Sequence, residues 1–234
     1  MAGIIRWSLV AALVGIIVVA PAVYFRCVYD THKRLRVVQP GRFYRSGQMT
    51  ADGFADAVDR YHIRTIINVQ DEFPDPNLAT SFGNGATIKE SKLCRKLGVN
   101  YIHLAPRLIS RRLIPEYRPP AIDQLLTVLD DESNYPVLIH CHAGLHRTGI
   151  LTAVYRMEYE RWSPAEAYRE MKEQGFGPWV CTSANDYVTQ YVLSYRRGLR
   201  FPIATSGPGS KPPPFLNSSS GPGASAPSTP STGG

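Results

Sequence analysis

Cysteine is scarce. Cys27, Cys94, Cys141 and Cys181 are scattered through 234 residues with no paired spacing. That pattern argues against a disulfide framework. It also leaves no second Cys/His pair at a zinc-like spacing, and His140, Cys141, His142 and His146 are too nearly adjacent to converge on one tetrahedral ion. No metal and no cofactor is implied. A nucleic-acid recognition motif is lacking too, and the net charge of +7 is dispersed, so nucleic acid is not an expected partner. The basic balance instead suits an anionic substrate or a membrane surface. From Ser206 onward charge almost disappears: Lys211 is the only charged residue, and Gly, Pro, Ser and Ala dominate. Such a composition cannot bury enough apolar surface to offset its ordering entropy, which predicts a disordered tail over 206–234.

One long apolar run is present. Trp7 to Phe25 carries no charge and lies between Arg6 and Arg26. As a helix it reaches about 30 Å, the thickness of a bilayer's hydrocarbon core. Trp7, Tyr24 and Phe25 stand at its ends, where aromatic rings favour the interface. We read 1–34 as a retained single-pass membrane anchor with a basic juxtamembrane segment. Arg26, Lys33, Arg34 and Arg36 follow the span and only Arg6 precedes it, so the C-terminal side faces the cytoplasm, where thiols stay reduced. The competing reading is a signal peptide cut after Val18-Val19-Ala20, giving a secreted protein. Pro21 after the cut and the apolar residues beyond it speak for retention.

The chemistry concentrates in HCHAGLHRTG, His140–Gly149. Before it runs YPVLI, Tyr135 to Ile139, apolar and β-prone; after it, Ile150 to Arg161 has helical character. A tight loop between strand and helix aims successive backbone N–H groups at one point, and the helix N-terminus adds partial positive charge. Such a nest binds a tetrahedral oxyanion and favours a thiolate over a thiol at its base. Arg147 offers a planar fork for two phosphate oxygens. The residues predict phosphate-ester cleavage: Cys141 attacks phosphorus, the amides of His142, Ala143, Gly144, Leu145 and His146 bind the oxygens together with Arg147, and Thr148 donates to the sulfur as it leaves. His140 is expected to point away from substrate and order the loop through its ring nitrogens.

His-Cys, five residues, Arg, then Thr, with the Ala143-Gly144 pair and the Arg-Thr-Gly ending, resembles the signature loop of the cysteine-dependent protein tyrosine and dual-specificity phosphatases. GRFYRSGQ, Gly41 to Gln48, resembles the opening segment of a compact bacterial, fungal and plant subgroup. The resemblance implies an α/β domain with a central, mostly parallel sheet flanked by helices, over residues 35–200. It implies hydrolysis of phosphoprotein or of phosphoinositide and inositol-phosphate substrates. It also implies an aspartate about thirty residues before the cysteine, to protonate the leaving oxygen. Here that position falls in Ala105–Pro120, APRLISRRLIPEYRPP, and holds no carboxylate nearer than Glu116. Glu116 from a shifted loop, a carboxylate of the 71–75 loop with Asp75 first, or no side chain at all are the three readings. General acid assistance is worth roughly 10²–10⁴-fold, so a chain without a donor would be a catalytically weak, phosphate-binding pseudophosphatase. Arg107, Arg111, Arg112 and Arg118 in the same loop would suit a polyphosphorylated substrate.

The remaining elements follow from pattern. Leu35–Val38 and Arg42–Tyr44 read as short strands, Thr50 as the cap of a helix through Tyr61, and Arg64–Val69 as a buried strand. Asp71, Glu72 and Asp75 in QDEFPDPN read as turn and cap residues near the sheet's C-terminal edge. Ile88–Leu97 reads as a helix closed by Gly98, and Asn100–Ala105 as a strand. Pro119–Asp131, Ile150–Glu160, Pro164–Gln174 and Ser183–Arg197 read as helices.

Overall fold

The computed structural model describes residues 2–80, 85–105, 118–177 and 185–200. Expectations for Arg107, Arg111, Arg112, Glu116 and the tail from Ser206 lie outside those residues.

A sheet of five strands carries the domain. Its order is β1 (Arg36–Gln39), β2 (Phe43–Gly47), β7 (Val137–Cys141), β3 (Thr65–Asn68) and β6 (Asn100–His103). β2, β7, β3 and β6 run parallel; β1 closes the edge antiparallel to β2. This matches the expected mostly parallel sheet. β7 is central and all five of its residues are buried, which explains the continuous apolar stretch in sequence.

Alternation along β7 divides the core. Val137, Ile139 and Cys141 belong to one cluster with residues of α4 (Pro120–Leu129), α5 (His146–Tyr159), α6 (Pro164–Glu173) and α7 (Asn185–Leu193). Leu138 belongs to the other, with residues of α2 (Ala51–Tyr61) and α3 (Glu90–Leu97). Because successive strand side chains face opposite sides, His140 turns toward α2 and α3 while Cys141 does not. The apolar residues Ile122, Leu125, Leu126 and Leu129 of α4 are buried.

Local signals set the ends. Thr50 caps α2 by accepting from the Gly53 amide. Gly98 ends α3 in the left-handed region. Ser163 and Glu166 form a reciprocal capping box on α6.

Several boundaries differ from the sequence reading. α3 begins at Glu90, because Thr87–Lys89 is extended as β5 and pairs antiparallel with β4 (Asn77–Ala79). α5 begins at His146 rather than Ile150, so Arg147, Thr148 and Gly149 lie in its first turn. α7 is described from Asn185 and ends at Leu193 rather than Arg197.

At the other end, α1 (Ala2–Tyr24) continues into a π-helix, Phe25–Thr31. Its Arg6–Tyr24 stretch of 19 residues is long and apolar enough, by length and composition, to cross a membrane. None of that stretch is buried against the domain, so a soluble core helix does not describe it.

Candidate active site

The loop from Cys141 to His146 leaves the C-terminal end of the central strand, where open α/β sheets gather ligands. Its shape is held from outside. The carbonyl of His142 accepts from the Gln48 amide at 3.1 Å. The carbonyl of Ala143 accepts from Arg34 Nη1 at 2.9 Å, and that of Gly144 from Arg45 Nη2 at 2.8 Å. A trans peptide places its N–H opposite its C=O, so three tied carbonyls turn the next three amides the other way. One of them shows where they converge: Gly144 N–H donates to Cys141 Sγ at 3.2 Å. Only glycine fits at 144. Its φ is +72°, and a Cβ there would lie 2.5 Å from the Gly47 nitrogen.

Cys141 is 4% exposed, at the floor of this loop. Arg147, in the first turn of α5, is near enough for its charge to interact with that of Cys141, but its fork is occupied. Nη1 and Nη2 donate to the two carboxylate oxygens of Glu72 at 2.9 and 2.6 Å. Nε lies 3.1 Å from Asp71 Oδ2. Burial is the largest single effect on Arg147 and disfavours its charge, but the hydrogen bonds to Glu72 together with the charges of Asp71, Glu72 and Cys141 outweigh it, so the guanidinium is held above its usual range. The same bonds hold the Glu72 carboxyl below its usual range. A planar carboxylate on a bidentate guanidinium stands where two oxygens of a phosphoryl group would sit.

The acidic loop after β3 thus reaches the site, but not through Asp75. That carboxylate accepts from the Ser91 amide and hydroxyl, each at 2.9 Å, and caps α3. Of the expected acid donors, Asp75 is therefore committed to structure, and Glu116 lies outside the described residues. Arg118 grips Asp123 from 2.9 Å, donates to the Leu199 carbonyl and lies over the Tyr195 ring.

His140 turns away as expected, but its partner is across the sheet. Its Nε2 lies 2.6 Å from Glu90 Oε1, both side chains are fully buried, and Phe54 meets the ring edge-on. Thr148 is fully buried, and its hydroxyl has no hydrogen-bond partner among the described residues, so the expected bond to sulfur is not made here. Burial and the nearby Lys33 charge lower the pKa of His142. Burial and the adjacent Arg147 lower that of His146, whose ring rests on Phe176. Among the described residues, no group of three His, Cys, Asp or Glu side chains could hold a metal ion.

Sequence reasoning missed Arg45, a buried cation on β2. Burial pushes it down to about 10, while the charge of Cys141 works in the opposite direction. The strand read from sequence stopped at Tyr44, and only the structure shows that β2 continues through Arg45 with all its residues buried. Glu90 and the loop-facing role of Arg34 left no sign in the sequence.

Comparison with known proteins adds to this geometry. The family profile described as "Dual specificity phosphatase, catalytic domain" matches residues 46–190. The dual specificity protein phosphatase TpbA of Pseudomonas aeruginosa (strain UCBPP-PA14) is 44% identical over 46 residues, 20% of this chain and 21% of that protein. Inositol diphosphatase DSP2 of Oryza sativa subsp. japonica is 30% identical over 130 residues, 54% of this chain and 55% of that protein. The chain thus spans from about a fifth to about half of the length of these relatives. The catalytic core of the PP-IP phosphatase Siw14 from S. cerevisiae, solved with citrate, shares the fold with a TM-score of 0.51. That match has 20% identity and covers 71% of this chain and 87% of that one.

Proposed function

Since the chain belongs to the family of dual specificity phosphatase catalytic domains, we propose that it hydrolyses phosphate monoesters through a cysteinyl-phosphate. The Cys141 thiolate attacks phosphorus, and the P–O bond to the leaving group breaks. Charge on the equatorial oxygens is taken by the amides of residues 142–146 and by the fork of Arg147, once substrate has displaced Glu72. Water then attacks the phosphocysteine and releases phosphate and thiolate. Thr148 supplies a buried hydroxyl for the departing sulfur. The observation that carries this reading is the Gly144 amide on Cys141 Sγ, inside a loop with three carbonyls tied outward.

Substrate class follows the same chemistry. A phosphorylated protein or an inositol phosphate presents the phosphoryl group this loop fits, and the relatives' names include both a protein phosphatase and an inositol diphosphatase. A catalytically weak phosphate-binding module is the second reading. It is favoured by one observation: Asp71 and Glu72 are paired with Arg147 and Asp75 caps a helix, which leaves no carboxylate of that loop unpaired to donate a proton. We also read α1 as a single-pass anchor with the catalytic domain on the cytoplasmic side, supported by its length and by the basic residues that follow it.

Kinetics on phosphopeptides, phosphoinositides and soluble inositol phosphates test the enzyme reading, with Cys141→Ser and Arg147→Lys beside the wild type. Cys141→Ser is expected to lose turnover by roughly 10⁴-fold or more, as nucleophile deletions do. Arg147→Lys is expected to lose most of it, because a point charge cannot replace the fork. A wild-type protein that binds these ligands and turns none over establishes the binding module instead.

A further inference from the structure

Arg34 stands ahead of the first strand, in the stretch read from sequence as a basic juxtamembrane cluster. Its backbone is left-handed, with φ +60°, and so is that of Lys33, with φ +27°. Two adjacent non-glycine residues in that region are strained unless their surroundings hold them. The active-site side of the sheet holds them. Gly47 N–H donates to the Lys33 carbonyl at 2.7 Å, and a Cβ on Gly47 would fall 2.8 Å from Lys33 Cγ. Gly47 is the register partner of Cys141.

Arg34 then reaches the loop itself. Its Nη1 donates to the Ala143 carbonyl. That oxygen belongs to the same planar peptide unit as the Gly144 N–H that meets Cys141 Sγ, so pinning the oxygen aims the hydrogen. A cation on the carbonyl also polarises the peptide and strengthens the N–H as a donor. The other end of the guanidinium donates to the Tyr29 hydroxyl and lies 4.7 Å from the centre of the Tyr29 ring. Tyr29 stacks on Phe25 within the π-helix that continues α1.

We propose that Arg34 is a positioning residue for the nucleophile: it pins the Ala143–Gly144 peptide so that the Gly144 amide stabilises Cys141 as a thiolate, and it makes the order of the segment leaving α1 a condition of that alignment. The proposal rests on Cys141 being the nucleophile. Other groups also act on that sulfur. Arg45 from β2 and Arg147 from α5 each interact with the charge of Cys141, and Arg147 is itself paired with Asp71 and Glu72. His142 and His146 stand in the loop itself, Lys33 packs against Gly47, and His140 is turned away onto Glu90. An Arg34 substitution leaves all of these in place.

The test follows alkylation of Cys141 by iodoacetamide against pH in the full chain, read in its own peptide by mass spectrometry so that the other cysteines do not contribute. Arg34→Ala is expected to move the alkylation midpoint upward by about one pH unit, the effect of losing a hydrogen bond to the charged form. The shift is expected to persist in about 1 M salt, where charge acts over only about 3 Å. Arg34→Gly relaxes the left-handed backbone; it is expected to keep the wild-type melting temperature and show the same shift. Tyr29→Phe is expected to shift less, in the same direction. Unchanged midpoints in both Arg34 variants, or a shift abolished by salt, would overturn the proposal. A wild-type Cys141 that alkylates like an ordinary free thiol would instead remove the nucleophile reading beneath it.

Discussion

Glu72 decides what Arg147 can do before substrate arrives. Its carboxylate fills the fork at 2.6 and 2.9 Å, yet its side chain is 57% exposed, so the pair is weak enough to exchange. A phosphoryl group must displace it. Glu72→Gln is therefore expected to lower the Ki of orthovanadate by about two- to fivefold at neutral pH, the range open to a partly exposed ion pair. The Glu72 pKa lies below the usual 4.5, so its carboxylate keeps competing as pH falls past that value. The difference between variant and wild type closes only below it, where Glu72 takes a proton and releases the fork. A Ki that rises in Glu72→Gln would show that Glu72 aids binding. At this scale Cys141 and Arg147 were legible because their spacing and flanks carry the chemistry. Glu72 was read as a turn or cap residue near the sheet's C-terminal edge and not as the partner of Arg147, since 75 positions separate them and only the fold joins them.

The element that organises the site is β7. Its period of two sends Cys141 to one core and His140 to the other, where Glu90 at the first turn of α3 receives it. That contact fixes the strand's end against the helix on its far side, with both groups out of water. Glu90→Leu keeps the volume and leaves a buried imidazole without its partner, which is expected to cost about 1–3 kcal/mol in urea unfolding. Replacing both residues with apolar ones is expected to recover most of that loss. A stability unchanged in the single variant would mean that the pair contributes nothing. β7, α2, α4 and α6 were readable from burial patterns and caps. β4 and β5 were not, because strands of three residues are too short for a period to emerge. The start of α5 was misplaced because its first turn reads as loop chemistry: His146, Arg147, Thr148 and Gly149 are polar or small, although the last two are buried.

For the molecule as a whole, the mostly parallel pairing is announced by the alternation of strands and helices, while the strand order is seen only in the fold. The boundary is less simple than the sequence suggested. A cut after residue 34 would sever the Gly47–Lys33 and Arg34–Ala143 bonds, so the segment after α1 belongs to the catalytic body. If α1 is the anchor, the full chain is expected to stay in the membrane pellet through alkaline carbonate washing, and removal of residues 2–24 to release it. Release of the full chain by the wash would refute a spanning helix. The central claim is that one sulfur carries the phosphoryl group during turnover. Rapid acid quenching of the wild-type enzyme with saturating substrate, followed by peptide mass spectrometry, tests it most directly. The account predicts a phosphoryl group on the peptide containing Cys141, absent in Cys141→Ser. Steady turnover with that peptide unmodified, or with the phosphoryl group on a histidine, would contradict it.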